Sequence, residues 1–183
     1  TVSPELVRVG TRLAVLEKKN ILIVGPTGSG KTTLVNAILE TLARVAPDDR
    51  VVSIEDTMEL QCPVRNYVDL RAVAGVTMLD CLRACMRLKP TRIVVGEVRG
   101  GEAHVMLKAW NTGHPGGFLT LHANSAEDAL RRLEDLCLEA SPASPERLIA
   151  SAVDLVVFIA RTPTGRVITS ILNPKAPPGE DPS

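Results

Sequence analysis

Short apolar runs alternate with longer amphipathic segments along most of the chain. The apolar runs are rich in Val, Ile and Leu and are too short for helices, which is typical of strands that are buried on both faces of a parallel sheet. The longer segments carry apolar residues at helical spacing, and several of them begin with capping residues. This alternation predicts an α/β fold with a mostly parallel sheet flanked by helices.

The pattern also sets approximate bounds for each element. Strands are predicted at residues 20–24, 51–54, 67–70, 92–97 and 118–121, with 67–70 at an edge of the sheet. Helices are predicted at residues 4–18, 33–46, 77–88, 102–110, 125–138 and 145–153. The predicted order of elements is helix, strand, helix and two strands, followed by helices that alternate with strands and then by two consecutive helices.

The pattern changes toward the end of the chain. Residues 154–160 and 166–172 are β-branched apolar runs joined by a Thr-Pro-Thr-Gly turn, which predicts a C-terminal antiparallel hairpin. Prolines, a glycine and acidic residues dominate from residue 174, so we expect a disordered tail at 174–183. The 183 residues suffice for one well-buried domain, which we place at residues 19–173, and a second full domain does not fit.

A glycine-rich loop lies between the first predicted strand and the helix that follows it. The loop reads GPTGSGKTT and fits G-x-x-x-x-G-K-[ST], a pattern that wraps the phosphates of a nucleotide. Its glycines let backbone N–H groups approach the phosphates, Lys31 reaches the β- and γ-phosphates, and the Thr32 hydroxyl is a ligand for Mg²⁺. A glycine-rich turn could match by chance, but the flanking strand and helix favour nucleotide binding. The residues expected to bind the nucleotide are Gly25, Pro26, Thr27, Gly28, Ser29, Gly30, Lys31, Thr32 and Thr33.

Acidic side chains stand at the ends of two predicted strands. Glu55 and Asp56 follow the strand at 51–54, and Glu97 ends the run at 92–97. Open parallel sheets bind ligands outside the carboxyl ends of their strands, so these acids are candidates for catalysis. Glu97 also fits the acid that supports the Mg²⁺ shell in P-loop enzymes. Without the glycine loop, a solvated acidic turn would be the better interpretation of Glu55 and Asp56.

Three further polar residues allow both a functional and a structural interpretation. His122 follows the strand at 118–121 and could donate a hydrogen bond to a γ-phosphate, although a lone histidine is more often structural. Arg83 and Arg87 are spaced i and i+4, so they share one face of the helix at 77–88. Their spacing fits a solvated face as well as it fits cations directed at a phosphate or at a neighbouring subunit.

Composition limits the alternatives. The formal net charge is +0 and aromatic residues make up 2% of the chain, so we expect no strong direct binding of nucleic acid. The cysteines form no C-x-x-C pair and look like small buried hydrophobic residues rather than zinc ligands. Reduced thiols together with an ATP site favour the cytoplasm. No apolar run approaches the roughly 18 residues of a membrane span, so any membrane association would be peripheral or through partners.

Four motifs in a fixed order carry a resemblance to a known family. They are GPTGSGKTT at 25–33, IEDTMEL at 54–60, RIVVGEVRG at 92–100 and NTGHPGGFLTLHANSA at 111–126. With these motifs the chain resembles the secretion (traffic) ATPases of type II and type IV systems, and most closely the TrbB-type conjugal transfer ATPases. The resemblance extends over residues 20–173, and ARTPTGR at 160–166 is similar to the hairpin of the TrbB type.

The resemblance implies a RecA-like P-loop fold, a ring of six subunits, and hydrolysis of ATP with Mg²⁺. Carried over by position, Lys31 and Thr32 hold phosphate and metal, and Glu55 orients or deprotonates the attacking water. Glu97 supports the metal through water, and His122 contacts the γ-phosphate. The same comparison adds His114 to Arg83 and Arg87 as candidate phosphate or intersubunit contacts. The individual roles of these three residues stay open.

The resemblance also implies a cellular location for the protein and a further, N-terminal domain. The family drives pilus assembly or substrate transfer at the cytoplasmic face of the inner membrane, together with the secretion or conjugation machinery. Its members carry an N-terminal domain that helps to close the nucleotide site and to build the ring. We therefore expect this chain to be the C-terminal motor domain, with residues 1–18 as a lead-in helix or linker.

Three other functions remain compatible with a P-loop on this core. A nucleic-acid translocase would use the same RecA-like core, although zero net charge and few aromatic residues argue against it. A small-molecule kinase or GTPase is a second alternative, and the chain shows no N-K-x-D stretch for guanine after the P-loop. A scaffold that changes shape on binding ATP, with little turnover, is the third.

Overall fold

The computed structural model of the protein describes residues 4–163 and 165–175, without the side chains of residues 4–9. Residues 176–183 of the predicted tail lie outside this range. Within the described residues, the strands are Ile21–Val24 (β1), Val51–Glu55 (β2), Tyr67–Arg71 (β3), Arg92–Val95 (β4), Phe118–Leu121 (β5), Leu155–Thr162 (β6) and Gly165–Leu172 (β7). The helices are Pro4–Leu16 (α1), Lys31–Val45 (α2), Met78–Cys85 (α3), Glu102–Asn111 (α4), Ala126–Ala140 (α5) and Glu146–Ala152 (α6), and Met86–Leu88 is a 3₁₀ turn.

All predicted helices and strands are present, with small differences at their ends. The strand predicted at 92–97 stops at Val95, which leaves Glu97 in the segment beyond it. The helix predicted at 77–88 starts with the expected capping box, in which the Thr77 side chain and Asp80 bond each other's backbone N–H. It changes to a 3₁₀ turn at Met86, so the regular i, i+4 relation between Arg83 and Arg87 is interrupted.

The strands form one sheet in the order β3-β2-β4-β5-β1-β6-β7. Neighbouring strands run parallel except β6 and β7, which form the predicted antiparallel hairpin. Because the parallel strands point the same way, the segments after β1, β2, β4 and β5 meet at one edge, which we call the carboxyl edge. The opposite edge, where these strands begin, is the amino edge.

Each face of the sheet carries its own hydrophobic core, because side chains alternate along a strand. On β1, Leu22 and Val24 belong to the core under α3 to α6, whereas Ile21 and Ile23 belong to the core under α1 and α2. All four are at most 3% exposed, and burial of each such side chain contributes roughly 1.5–3 kcal/mol. Val15 near the end of α1 is fully buried in the second core, so this helix is packed against the domain.

A buried arginine holds the amino edge together. Arg92 is 1% exposed, and its Nε donates to Asp49 Oδ2 at 2.5 Å. Its Nη2 donates to the Val15 carbonyl at 2.8 Å and its Nη1 to the Gly116 carbonyl at 3.1 Å. Asn20 adds a hydrogen bond from the Gly116 N–H to its side-chain oxygen at 2.6 Å. The end of α1, the start of β4 and the loop before β5 are therefore joined by satisfied polar contacts.

The single tryptophan also lies at the amino edge. Trp110, near the end of α4, is 3% exposed, and its indole Nε1 lies against Gly117, where a Cβ would collide with it. Gly117 directly precedes β5. The lack of a side chain at Gly117 thus allows α4 to approach the sheet closely.

The cysteines largely confirm the prediction of small buried residues. Cys81, Cys85 and Cys137 are buried, Cys62 is half-buried, and all are free thiols. Burial raises the pKa of the Cys85 thiol to about 12 and that of Cys137 to about 11, so both stay protonated near neutral pH. Among the described residues, no helix has both the length and the apolar character that crossing a bilayer requires.

Candidate active site

The P-loop, residues 25–32, follows β1 at the carboxyl edge and leads directly into α2. Gly25 packs so closely on β6 that a Cβ at this position would collide with the Ile159 carbonyl and lie 2.6 Å from Ser29 Oγ. Gly30 has a φ of 104°, a left-handed conformation that favours glycine, and its backbone begins α2 with no side-chain cap. The first N–H groups of α2 are therefore directed at the space in front of the loop, where an anion fits.

The Lys31 ammonium folds back over this loop. Its Nζ donates to the Gly25 carbonyl at 2.9 Å and to the Pro26 carbonyl at 3.1 Å. Burial lowers the pKa of Lys31, and the nearby carboxylates of Glu97 and Glu59 act in the opposite direction. The ammonium is thus held at the mouth of the loop by weak neutral acceptors, which an oxyanion can replace with a stronger, charge-assisted partner.

Glu55 is the most deeply buried acid at the carboxyl edge. It ends β2, is 3% exposed, and its Oε1 accepts hydrogen bonds from the N–H groups of Glu59 and Leu60, both at 3.0 Å. Burial raises the pKa of Glu55, although these two backbone hydrogen bonds oppose the shift. A fixed carboxylate with a raised pKa is suited to accept a proton from water.

Glu59 was not singled out by the sequence, yet it contacts the predicted metal ligand. The Thr32 hydroxyl donates to Glu59 Oε2 at 2.7 Å, and Asn36 Nδ2 donates to the Glu59 carbonyl at 3.2 Å. The acidic stretch IEDTMEL contains Glu59, but it does not indicate which of its acids turns back toward α2. The structure therefore adds a second carboxylate beside Lys31 and Thr32.

Arg99 was also missed, and it links the two acidic segments. Its Nη2 donates to Glu97 Oε2 at 2.8 Å, and its Nη1 donates to Asp56 Oδ2 at 3.0 Å. These acids raise the pKa of Arg99, with the Glu97 hydrogen bond as the largest cause. Glu97 is half-buried, whereas Asp56 and Arg99 are exposed. The pairing holds Glu97 in place beyond β4 and occupies Asp56, which leaves Glu55 as the better candidate base.

The end of β5 completes the site from the other side. The Thr120 hydroxyl donates to the Gly96 carbonyl, and the Val98 N–H donates to the Thr120 carbonyl at 3.1 Å, so β5 positions the segment that carries Glu97. His122 is exposed just beyond β5, and its Nδ1 lies 3.4 Å from Thr27 Oγ1. The structure thus brings His122 next to the P-loop, as its proposed contact with a γ-phosphate requires.

Most of these residues line one cavity of about 310 Å³. Gly25, Gly30 and His122 are not part of its lining, although His122 lies beside the lining residue Thr27. The wall of the cavity comes from the P-loop, the segment after β2, the segment after β4 and the end of β5. The lining residues are Thr27, Gly28, Lys31, Thr32, Glu55, Asp56, Thr57, Glu59, Leu60, Gly96, Glu97, Arg99 and Thr120. Four separate parts of the chain therefore converge on a polar space in front of Lys31.

The oxygen donors of this cavity fit Mg²⁺. The Thr32 hydroxyl and the carboxylates of Glu59 and Glu97 are the kind of ligand that Mg²⁺ prefers. Within the part of the chain that the structure describes, no group of three or more His, Cys, Asp or Glu side chains could hold a metal by itself. This donor set suits an ion that keeps several waters and is held mainly by substrate phosphates, as Mg²⁺ is in P-loop enzymes.

Three predicted residues lie away from this cavity. His114 stands before β5 at the amino edge, where its Nδ1 is 2.9 Å from the Pro90 carbonyl, so it does not reach a phosphate at the P-loop of the same chain. Arg83 lines a separate cavity of about 470 Å³ between α3, α4 and the end of α5. Arg87 is exposed on the 3₁₀ turn. Contact of these residues with a neighbouring subunit stays a prediction.

Comparison with known proteins identifies relatives of this chain. It is 53% identical to the probable conjugal transfer protein TrbB of Sinorhizobium fredii and 51% identical to the conjugal transfer protein TrbB of Rhizobium radiobacter. Each alignment covers 88% of this chain and 50% of the relative. The chain therefore spans about half the length of the curated relatives it matches.

A solved structure shows the same fold. The VirB11 ATPase from the Brucella suis type IV secretion system, determined in complex with sulphate, superposes with a TM-score of 0.83 at 34% identity. The superposition covers 94% of this chain and 56% of that one. The family described as "Type II/IV secretion system protein" matches residues 5–167. The chain therefore belongs to the type II/IV secretion system protein family, as its TrbB-like motifs predict.

Proposed function

We propose that this chain is the ATP-hydrolysing motor domain of a hexameric secretion or conjugation ATPase. The observation that carries this proposal is the cavity in which Lys31 and Thr32 of the P-loop face the fixed carboxylates of Glu55 and Glu97. One side of this cavity can bind phosphates, and the other can direct a water at the terminal phosphate. The TrbB and VirB11 relatives support the same activity.

The reaction joins water to the γ-phosphorus of ATP and breaks the bond to the β–γ bridging oxygen, giving ADP and phosphate. The open N–H groups of α2 and the Lys31 ammonium hold the phosphates. Glu55 Oε1 is fixed by two backbone N–H groups, so the carboxylate can orient the attacking water and accept its proton. His122 contacts the γ-phosphate from the end of β5, and its proximity to Thr27 supports this role.

Thr32 would hold Mg²⁺ directly at this site, and Glu97 and Glu59 would hold it through water. When bound, Mg²⁺ neutralises the charge that develops on the phosphate oxygens. The Thr32 hydroxyl donates its hydrogen bond to Glu59 Oε2, which leaves the lone pairs of the hydroxyl oxygen available to the metal. We propose that Glu59 would also bond a metal-bound water, because it stays anchored to Glu55 through its own N–H.

We place this motor in a ring of six chains at the cytoplasmic face of the inner membrane, with the secretion or conjugation machinery as its partner. The division into a lead-in segment at 1–18, a motor domain at 19–173 and a tail at 174–183 belongs to the same proposal. An N-terminal domain would help to close the site, because arginines supplied by another domain or subunit can raise phosphoryl-transfer rates about 10³- to 10⁵-fold. We therefore expect the motor domain alone to bind nucleotide but to hydrolyse it slowly.

The test is steady-state phosphate release from Mg-ATP over a wide range of protein concentration. Lys31→Ala is the blank, because it removes the cation that contacts the β- and γ-phosphates. Specific activity that rises with concentration is expected, since sites completed between subunits form only as chains associate. An ATP-induced thermal shift that survives in Lys31→Ala would refute phosphate binding at this loop. A rate that depends on single-stranded DNA would instead favour the translocase.

A further inference from the structure

The hairpin of β6 and β7 carries two arginines that face each other. Arg161 on β6 pairs directly with Arg166 on β7, so both side chains lie on the same face of the hairpin. Both residues are exposed. Among residues 10–163 and 165–175, neither guanidinium forms an ion pair with an acid. Like charges directly opposite each other weaken an antiparallel pair, so this arrangement is unfavourable unless an anion binds nearby.

Arg166 reaches the P-loop. A Cβ on Gly30 would lie 2.6 Å from Arg166 Cδ, so the arginine stem lies across the bare backbone of this glycine. Its Nη1 donates to Thr33 Oγ1 at 3.3 Å. The side chain thus brings a positive charge to the first turn of α2, where the helix dipole is also positive. An anion at this position would relieve both repulsions.

The position along the loop indicates which anion this is. In a P-loop the lysine reaches the β- and γ-phosphates, and the backbone N–H groups cradle the α- and β-phosphates. Lys31 is folded toward Gly25 and Pro26 at the start of the loop, whereas Arg166 lies over Gly30 and Thr33 at its end. The two cations therefore approach the loop from opposite ends.

We propose that Arg166 binds the α- and β-phosphate end of the nucleotide, as a second cation opposite Lys31. The inference deepens the proposed function and rests on it. The planar guanidinium can exchange its hydrogen bond to Thr33 Oγ1 for two parallel hydrogen bonds to phosphate oxygens. A lysine ammonium cannot form this paired arrangement. Because ADP and ATP share these phosphates, Arg166 contributes equally to both and does not distinguish them.

The experiment measures the Kd of ADP and of a non-hydrolysable ATP analogue by calorimetry, with Mg²⁺ present. Arg166→Gln should raise both Kd values about 10-fold, as expected for the loss of a charge-assisted contact, and leave their ratio unchanged. Arg166→Lys should retain part of the affinity. Arg147→Gln is the matched control, because Arg147 is an exposed arginine on α6 whose loss removes the same charge.

Unchanged Kd values in Arg166→Gln would overturn the inference, as would a loss confined to the ATP analogue or an equal loss in Arg147→Gln. Lys31→Ala separates this result from the proposed function. If Lys31→Ala binds as tightly as the unaltered chain, the nucleotide site itself is refuted. If only Arg166→Gln is without effect, the nucleotide site is supported and the proposed role of Arg166 as a second cation is refuted.

Thermal unfolding without nucleotide tests the repulsion between Arg161 and Arg166. Arg166→Gln should unfold at the same or a higher temperature than the unaltered chain, because it removes a like-charge pair. A lower unfolding temperature would contradict this repulsion.

Discussion

The two edges of one sheet use charged side chains in opposite ways. At the amino edge, Arg92 is buried with three partners, which are the Asp49 carboxylate and two backbone carbonyls. At the carboxyl edge, Lys31 is bound only by neutral carbonyls, and the buried carboxyl of Glu55 has a raised pKa. At the first edge, the satisfied contacts of Arg92 stabilise the fold. At the second edge, Lys31 and Glu55 lack strong charged partners, so a bound substrate can supply better ones. This arrangement favours binding and catalysis.

The strongest test of this difference is Glu55→Gln. The amide keeps the side-chain oxygen that accepts the two backbone N–H groups but cannot accept a proton from water. We expect turnover to fall about 10²- to 10⁴-fold, the usual contribution of a general base, with nucleotide affinity and stability nearly unchanged. Phosphate release and calorimetric Kd values measure this, with the exposed Asp135→Asn on α5 as control. Turnover that survives while Glu97→Gln is inactive would mean that the two acids have exchanged roles.

The reverse pattern is expected for Arg92→Met. This change leaves Asp49 and the carbonyls of Val15 and Gly116 without their buried partner, which should cost about 3–5 kcal/mol of unfolding free energy. Urea denaturation measures the loss, and Arg132→Met on the exposed face of α5 controls for removal of an arginine. Nucleotide affinity of the folded variant should be unaltered. A stability close to that of the control would show that the amino edge does not depend on this arginine.

The smallest expected effect is a pH dependence of stability from Glu55. Burial raises its pKa above the ordinary value of 4.5, so the folded protein keeps this proton to higher pH than the unfolded chain does. The contribution of Glu55 to stability therefore falls as pH rises from 4.5 through the folded pKa, while turnover rises over the same interval. Urea midpoints at several pH values measure this. A stability difference between the unaltered chain and Glu55→Gln that stays constant with pH would contradict the shift.

The sequence predicted the framework of this site because its signals are local. Strand and helix periodicity, the capping box at Thr77 and the glycine loop each depend on residues close together in the chain. They correctly predicted the sheet, the hairpin and the family. Glu55, Glu97 and His122 could be placed near the P-loop because parallel strands bring their carboxyl ends to one edge.

The missed features depend on contacts that local patterns do not contain. Arg166 reaches Thr33 across 133 positions, and Arg92 at the start of β4 looks like an ordinary exposed residue in front of an apolar run. His114 was a candidate phosphate or intersubunit contact, and it lies in the same motif as His122. A four-residue strand of about 3.3 Å per residue separates them, so they stand at opposite edges of the sheet.

The place of Trp110 decides which spectroscopic signals this protein can give. Its indole is the chain's single such fluorophore and is packed against Gly117 at the amino edge, away from Lys31 and Glu55. Its emission should follow global unfolding, because loss of the core exposes the ring to water. Occupancy of the P-loop leaves the surroundings of the ring unchanged unless the whole sheet responds. A change in tryptophan emission on addition of nucleotide would therefore be a direct sign that the two edges communicate.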